Sequence, residues 1–345
     1  MRIHLASYQS IMLNRGGPTY VALNLEKELK KLGVDVNFFN MWDYNLKLTN
    51  DDLVHLFLAN ISTYSLATNL KLYGVKYVVN PIIFSNHPAW KIRLYQNLEK
   101  PLNKLFVRSI SDYRITNQIC NNAEKVLPNT IEEGNLLVKG MKVDGSKMQV
   151  IHNGVEESFL EADPALFIKK YGLKDFVLNV GHIGAIRKNS YKLIKALQKL
   201  DVPAVIIADV LENAEAEKCM EEIKKSKNIK LIRWIKHDDP LLASAYAACK
   251  TFVLPSTFET PGIVAMEAAL AGANIINTPN GGTKEYFAEY TDYIDPKSIE
   301  SIASVIEKSL NKQKNDLLKD FVKKNFLWSV IAKQTLAMYK DVGGY

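Results

Sequence analysis

Short apolar runs alternate with segments of helical periodicity along nearly the whole chain, and the alternation happens twice. The first series opens with RIHLASY and a helix over Thr19–Leu32, where Val21, Leu25, Leu29 and Leu32 recur at helical spacing. Strand candidates follow at 34–39 (VDVNFF), 52–58 (DLVHLFL), 76–84 (KYVVNPIIF), 123–129 (AEKVLPN) and 148–154 (MQVIHNG). After the polar stretch 155–167 the rhythm restarts, with strands expected at 176–182, 203–210, 229–235, 250–256 and 274–280. Apolar strands separated by helices imply parallel sheets covered on both faces. The expected architecture is therefore α/β, with two doubly wound, Rossmann-like domains over 1–160 and 161–325. The tail 326–345, containing FLWSVIAKQTLAMYK, reads as a closing amphipathic helix. Such sheets bind ligands beyond the carboxyl ends of their strands, so the expected site is the cleft where the two domains face each other.

Composition narrows the classes that remain. A chain of 345 residues with 47% hydrophobic and 23% charged residues fits two soluble globular domains. The opening MRIHLASYQS carries no long apolar run, and no stretch has the length of a membrane span, so a cytoplasmic location is expected. Cys120, Cys219 and Cys249 are too scattered for a disulfide framework or zinc site, and the six histidines form no HExxH or HxH pair. The net charge of +7 favours anionic partners such as nucleotides or lipid headgroups. No nucleic-acid-binding motif accompanies it.

The segment Ser256–Gly272, STFETPGIVAMEAALAG, carries the chemistry. A strand ends at Pro255–Ser256, and a helix is expected over Ile263–Ala271 with a glycine stop at Gly272. Pro261 suits a first helical turn, and the free amides of Gly262, Ile263 and Val264 form an anion site at the positive end of the helix. Gly262 removes the side chain that would hold a phosphate away. Glu259 and Glu267 place one carboxylate before the helix and one within it, each able to accept hydrogen bonds from sugar hydroxyls.

This E-x7-E pattern, with Gly262 inside it and EAALAG closing it, resembles the donor motif of family four of the retaining glycosyltransferases, which have the GT-B fold. The resemblance implies that Glu259 contacts the transferred sugar and Glu267 the ribose of a nucleotide. It extends to Gly16–Gly17 before the first helix, which resemble the family's glycine loop across the cleft from the donor phosphates. In NVGHIGAIRKNSYKLIKAL (179–197) Lys188 fits the family's phosphate-binding Lys. His182 stands where many members have Arg, a departure that Arg187 would compensate. Gly281, Gly282, Thr283 and Glu285 are similar to the family's GGxxE segment near the phosphates. VIHNGVEESF resembles the interdomain segment, with His152 in place of the usual Pro, and the closing helix would cross back onto the first domain. After the strand ending near residue 84, the family places a His near the transferred sugar or acceptor. His87 is the candidate here, with Ser85 and Asn86 competing.

The resemblance implies transfer of a hexose-type sugar from a UDP-, GDP- or dTDP-linked donor to a carbohydrate or lipid-linked acceptor, with retention. Arg187, Lys188 and the helix amides would stabilise the departing diphosphate, and no bound cofactor is expected. No DxD metal motif is present, and Asp51–Asp52 and Asp238–Asp239 read as helix or turn acids. Surface-polysaccharide or glycolipid biosynthesis is the expected setting. Lys91, Arg93, Lys100, Lys104 and Arg108 interleave with Trp90, Leu94, Tyr95, Leu98, Leu102 and Leu105. The pattern reads as two amphipathic helices around Pro101, which would touch an anionic inner membrane face peripherally or form an ordinary solvated surface. The competing functional readings are a non-hydrolysing sugar-nucleotide epimerase of the same architecture and a catalytically silent partner subunit.

Overall fold

The structure, a computed structural model, describes residues 2–13, 16–49, 51–85, 87–105 and 110–343, the side chains of 100–105 aside. The chain divides into two compact units, one formed by Met1–Gly154 with Trp328–Tyr345 and the other by Val155–Leu327.

The first unit contains β1 (Arg2–Ala6), α1 (Gly17–Lys31), β2 (Val36–Phe38), β3 (Asp52–Phe57), α2 (Ile61–Leu72), β4 (Tyr77–Asn80), α3 (Ala89–Leu105), α4 (Asp112–Asn122), β5 (Lys125–Val126) and α5 (Ile131–Lys139). Its five strands are all parallel, in the order β2-β1-β3-β4-β5. Every residue of β3 is buried because both faces of the sheet are covered. Leu53 and Phe57 enter the core shared with Val21, Leu25 and Leu29 of α1. Val54 and Leu56 point the other way, toward Ile115 and Ile119 of α4.

Two strand expectations are corrected here. The fourth strand stops at Asn80 because Pro81 has no amide to continue the ladder and Ile82 turns into the left-handed region at φ 50°. Residues 148–154 form only a bridge, Met148 to Val126. Gln149 and Ile151 donate to the Val126 and Pro128 carbonyls at 3.0 and 3.1 Å, but Pro128 has no amide with which to answer. The two helices expected around Pro101 are one, α3, whose backbone runs through the proline.

The second unit contains α6 (Ala165–Tyr171), β6 (Val177–Ile183), α7 (Ser190–Leu200), β7 (Ala204–Val210), α8 (Ala214–Lys225), β8 (Ile229–Arg233), α9 (Pro240–Ala248), β9 (Thr251–Leu254), α10 (Ile263–Leu270), β10 (Asn274–Asn277), α11 (Thr283–Phe287), β11 (Asp292–Tyr293), α12 (Ile299–Leu310) and α13 (Leu317–Phe326). Its six parallel strands run β11-β10-β9-β6-β7-β8, so the order reverses between β6 and β9. That is the strand order of dinucleotide-binding sheets, and ligands gather where it reverses. The short β11 carries no periodicity a sequence reading could use.

The second unit begins at Val155, ahead of the boundary expected at 160/161. Phe159 explains the difference, packing edge-on against Tyr246 of α9 at 5.8 Å and His237 at 5.6 Å. The chain leaves and returns at one place, for the Val155 amide donates to the Phe326 carbonyl at 2.8 Å. The last helix, α14 (Trp328–Gly343), then packs Trp328, Ile331 and Tyr339 into the α1 side of the first unit's core. The buried His55 ring of β3 accepts from the Tyr339 hydroxyl through Nδ1 and donates through Nε2 to Oδ1 of Asn80. Burial holds its pKa down at about 4, so the ring is neutral. No described helix is long and apolar enough to cross a membrane.

Candidate functional site

The loops leaving β6 and β9 meet where the second sheet reverses its order. After β6 the chain turns at Gly184, φ 99°, and forms a short 3-10 turn over Ile186–Lys188. The Thr257 amide donates to the Arg187 carbonyl at 2.9 Å, and Asn189 donates to the Pro255 carbonyl at 3.0 Å. These bonds tie the basic turn to the loop that carries Glu259.

Three donors converge on Oε1 of Glu259. Lys188 Nζ lies at 2.7 Å, the Ser256 hydroxyl at 2.6 Å and Arg187 Nη1 at 3.2 Å. Arg187 Nη1 also donates to the Phe258 carbonyl at 2.6 Å. The Glu259 side chain is only 6% exposed. Burial opposes its ionisation, yet the charges of Lys188 and Arg187 outweigh burial and hold the carboxyl below its ordinary range. The sequence-derived trio Arg187, Lys188 and Glu259 is thus one cluster carrying one excess positive charge. None of these three donors engages Oε2.

The protein's own packing requires two of the glycines. A Cβ on Gly262 would come within 2.7 Å of Leu254 Cδ2, and its φ is 81°. Internal packing and a left-handed turn therefore require glycine there, whatever the clearance for a phosphate. Gly262 caps α10, which begins at Ile263, so Pro261 precedes the helix rather than occupying its first turn, and the helix ends at Leu270. The amides of Ile263 and Val264 lie in the first turn, where no intrahelical partner exists. Gly281 (φ 89°) passes so close to Glu259 that a Cβ would sit 2.1 Å from its carbonyl oxygen. The Gly282 amide donates to that same carbonyl at 2.9 Å, which engages it within the loop. Thr283 is fully buried and its hydroxyl donates to the Thr278 carbonyl at 2.6 Å. Its side chain braces the loop from within.

Glu267 is 2% exposed, and both of its oxygens have partners. His237 Nε2 donates to Oε1 at 2.9 Å and the Tyr246 hydroxyl to Oε2 at 2.8 Å. The bond to Glu267 raises the His237 pKa against the opposing effect of burial, and Glu156, 3.9 Å from Nδ1, adds to the rise. The sequence reading missed His237 and Tyr246, which stand 30 and 21 positions from Glu267 with no pattern linking them. His182 lies outside the Glu259 cluster. It is exposed at the end of β6, its ring tilted 31° over Trp234 at 5.6 Å. Asn277, fully buried at the end of β10, has no hydrogen-bond partner for either side-chain polar atom.

In the first unit, Gly16 caps α1 and Gly17 begins it, with nothing within 4 Å of a Cβ built on either. His87 is exposed, and its amide donates to the Ser85 hydroxyl at 3.0 Å. Asn86 and Arg108, and the side chains of Lys100, Leu102, Lys104 and Leu105, lie outside the described residues. Arg93 is drawn from the expected basic face, donating to the Val138 and Lys139 carbonyls of α5 at 2.9 Å each. Among the described residues no three His, Cys, Asp or Glu converge as a metal ligand set would require.

Two Rossmann-like sheets, one bearing a cation-clamped carboxylate at its order reversal, define a chain of the GT-B class. Residues 167–328 match the family described as Glycosyl transferases group 1, which supports the resemblance carried by the Glu259–Glu267 segment. An uncharacterized glycosyltransferase of Methanocaldococcus jannaschii is 25% identical over 214 residues, 56% of this chain. The match spans about half of that relative's length, 54%. Sucrose-phosphate synthase from Thermosynechococcus elongatus superimposes with a TM-score of 0.76 at 17% identity, covering 99% of both chains. Anabaena HepE in complex with UDP gives 0.72 at 16% identity, covering 99% of this chain and 100% of that one. At these identities the likeness is one of fold.

Proposed function

We propose that this chain transfers a hexose-type sugar, with retention, from a nucleotide diphosphate to the hydroxyl of a carbohydrate or lipid-linked acceptor. The observation that carries the proposal is the Glu259 carboxylate. Lys188, Ser256 and Arg187 all engage Oε1, which leaves Oε2 to accept from a hydroxyl of the donor sugar. UDP in the complex of the structurally similar HepE supports a uridine donor, with GDP- and dTDP-sugars as the competing choices.

In this reading, cleavage of the anomeric C–O bond leaves its electron pair on the departing diphosphate. Arg187, Lys188 and the first-turn amides of α10 stabilise that growing charge, a task assigned here to side chains and backbone rather than to a metal. The acceptor oxygen attacks the face the leaving group vacates, and its proton passes to the diphosphate oxygen just released. Glu259 orients the sugar. Glu267, fixed by His237 and Tyr246, presents its remaining lone pairs to the ribose.

We assign the reaction to the cytoplasm and to surface polysaccharide or glycolipid synthesis, with peripheral contact at the inner membrane face. Trp90, Leu94 and Leu98 recur at helical spacing on α3 and are more than half exposed, with Lys91 beside them, which supports that contact. Sedimentation with anionic liposomes tests it, and absence of binding refutes it.

The central experiment is a panel of UDP-, GDP- and dTDP-sugars scored for thermal stabilisation and slow hydrolysis. One donor class should raise the melting temperature; if none does, the reading falls. Glu259→Ala should abolish transfer while nucleotide binding persists, whereas Glu267→Gln should weaken nucleotide binding itself. Equal loss of nucleotide affinity in both would refute the division of roles.

A further inference from the structure

The two groups bonded to the buried Glu267 carboxylate differ in kind. The Tyr246 hydroxyl, 2.8 Å from Oε2, lies in the core, where burial pushes its pKa well above 10 and keeps it neutral. His237, 2.9 Å from Oε1, is an imidazole, and of the two only it can carry a positive charge. The charge of this corner of the second unit therefore turns on the proton that His237 gains or loses.

Local structure holds that ring between the core and the surface. His237 stands in the turn from β8 to α9, closed by the Asp239 amide on the Lys236 carbonyl at 3.1 Å. Asp239 then caps α9, accepting from the Leu241 amide at 2.9 Å, so turn and helix are fixed together. The ring packs edge-on against Phe159, and the side chain remains 26% exposed. Nε2 meets the buried carboxylate, while Nδ1 lies 3.9 Å from Oε1 of Glu156. His237 also lines a cavity of about 460 Å³, whose other ionisable groups are Glu156, Glu161, Asp163, Asp238 and Asp239. A proton thus reaches the ring from water without crossing the core.

The groups that face the ring favour its charged form. Glu267 does so from α10, Glu156 from the segment that opens the second unit, and Asp238 from the ring's own turn, while Tyr246 of α9 stays neutral. The bond to Glu267 lifts the His237 pKa above the ordinary 6.5 against the opposing effect of burial, and the charges of Glu156 and Asp238 add to the rise. The ring is charged below that raised value and neutral above it. A neutral ring still donates through Nε2–H, so the bond survives and only the charge that offsets Glu267 is lost. A nucleotide sugar brings a dianionic diphosphate to the same unit, so its binding and the charged ring favour each other. We propose that His237 is a proton-linked positioning residue of the nucleotide site. Charged, it offsets Glu267 and lets the dianionic donor bind tightly; neutral, it holds the carboxylate in place but the donor binds more weakly. The proposal rests on the glycosyl-transfer reading, in which Glu267 holds the ribose.

Testing it uses the full chain and whichever UDP-, GDP- or dTDP-sugar stabilises it. A terminal phosphate ionises near pH 6, whereas the diphosphate of a nucleotide sugar is esterified at both ends and does not titrate in that region. Calorimetry from about pH 5.5 to about pH 9 should show the dissociation constant rising about ten-fold through the His237 midpoint. By linkage, a ten-fold preference moves that midpoint up by about one pH unit, so binding midway takes up about half a proton, read from the dependence of the heat on the buffer. His237→Gln keeps an amide donor for Oε1 but has no proton to gain. Its affinity should be independent of pH, at the weak level of the parent near the alkaline end, with no proton uptake. Glu156→Gln should lower the midpoint by about half a pH unit while both plateau affinities persist, and this arm decides the matter if His237→Gln does not fold. Binding by the parent without proton uptake, an unchanged pH profile in His237→Gln, or an unmoved midpoint in Glu156→Gln overturns the proposal. Those results leave the donor reading standing; failure of every nucleotide sugar to bind would remove the reading itself.

Discussion

Replacing Lys188 by methionine separates a structural ion pair from a ligand-binding one, and the geometry sets the size of the effect. Lys188 Nζ lies 2.7 Å from a carboxylate that is 6% exposed, while the lysine side chain itself is 21% exposed. Removing the sole partner of a buried charge costs about 3–5 kcal/mol. Here Arg187 remains at 3.2 Å and the Ser256 hydroxyl at 2.6 Å, so Glu259 keeps one cation and one neutral donor. The expected loss is therefore about 1.5–3 kcal/mol, or roughly 4–9 °C in melting temperature for a unit of this size. Thermal melts of Lys188→Met, Glu259→Gln and the double variant form a cycle, in which coupling of about 1–2 kcal/mol is expected. The same proteins are then titrated with the stabilising nucleotide sugar. A diphosphate that recruits Lys188 should be held at least ten-fold more weakly by Lys188→Met. A melting temperature within a degree of the parent, together with zero coupling, would refute the claim that Lys188 holds Glu259 in its ionised, oriented state.

Gly281→Ala places a methyl 2.1 Å from the Glu259 carbonyl at φ 89°, and should cost about 3 kcal/mol or more while displacing Glu259. Wild-type stability with intact nucleotide binding would contradict that packing. His55 has a folded pKa near 4 against an ordinary 6.5, so the unfolded chain binds its proton first. Its contribution is complete above pH 6.5 and fades as pH falls to 4, about 3 kcal/mol in all. Urea titrations across that window should lose this slope in His55→Gln; an equal slope in both proteins would locate the acid sensitivity elsewhere. Asn277→Leu removes two buried polar atoms that have no protein partner, and should leave stability unchanged or raise it by up to about 1 kcal/mol. A loss beyond about 2 kcal/mol in equilibrium unfolding would show that the amide is hydrogen-bonded after all.

The strand–helix alternation that opened the sequence reading was enough to give two parallel sheets, because strands buried on both faces leave nearly unbroken apolar runs such as DLVHLF. It failed where single residues override pattern. Pro81 ends a run that remains apolar through Phe84, and Pro128 denies the segment after it a ladder partner. In the second unit, Arg187, Lys188 and Glu259 were legible through the resemblance of their segments to the glycosyltransferase donor motifs, and the loops leaving β6 and β9 bring the three together. His237 and Tyr246 were not, since only tertiary folding brings the loop after β8 and the helix α9 against Glu267. The glycines show a subtler gap. Gly262 was read from outside, as clearance for a phosphate, and Gly281 only as part of a resembling segment, while the packing of Leu254 and the Glu259 backbone already demands both from inside.

The hydrogen bond from Val155 to Phe326 places the first and last residues of the second unit side by side. Topologically, that unit is an insertion within the first, entered and left through neighbouring backbone. Its ends therefore need no long tether to be joined. The stretch Val155–Leu327 could be excised as a free-standing domain or circularly permuted, while Gly154, whose Cα already lies against the Trp328 ring, could be spliced to α14 to close the remainder. A gene fusion or duplication acting at that single junction could exchange the Glu259-bearing unit while leaving the fold of its host intact.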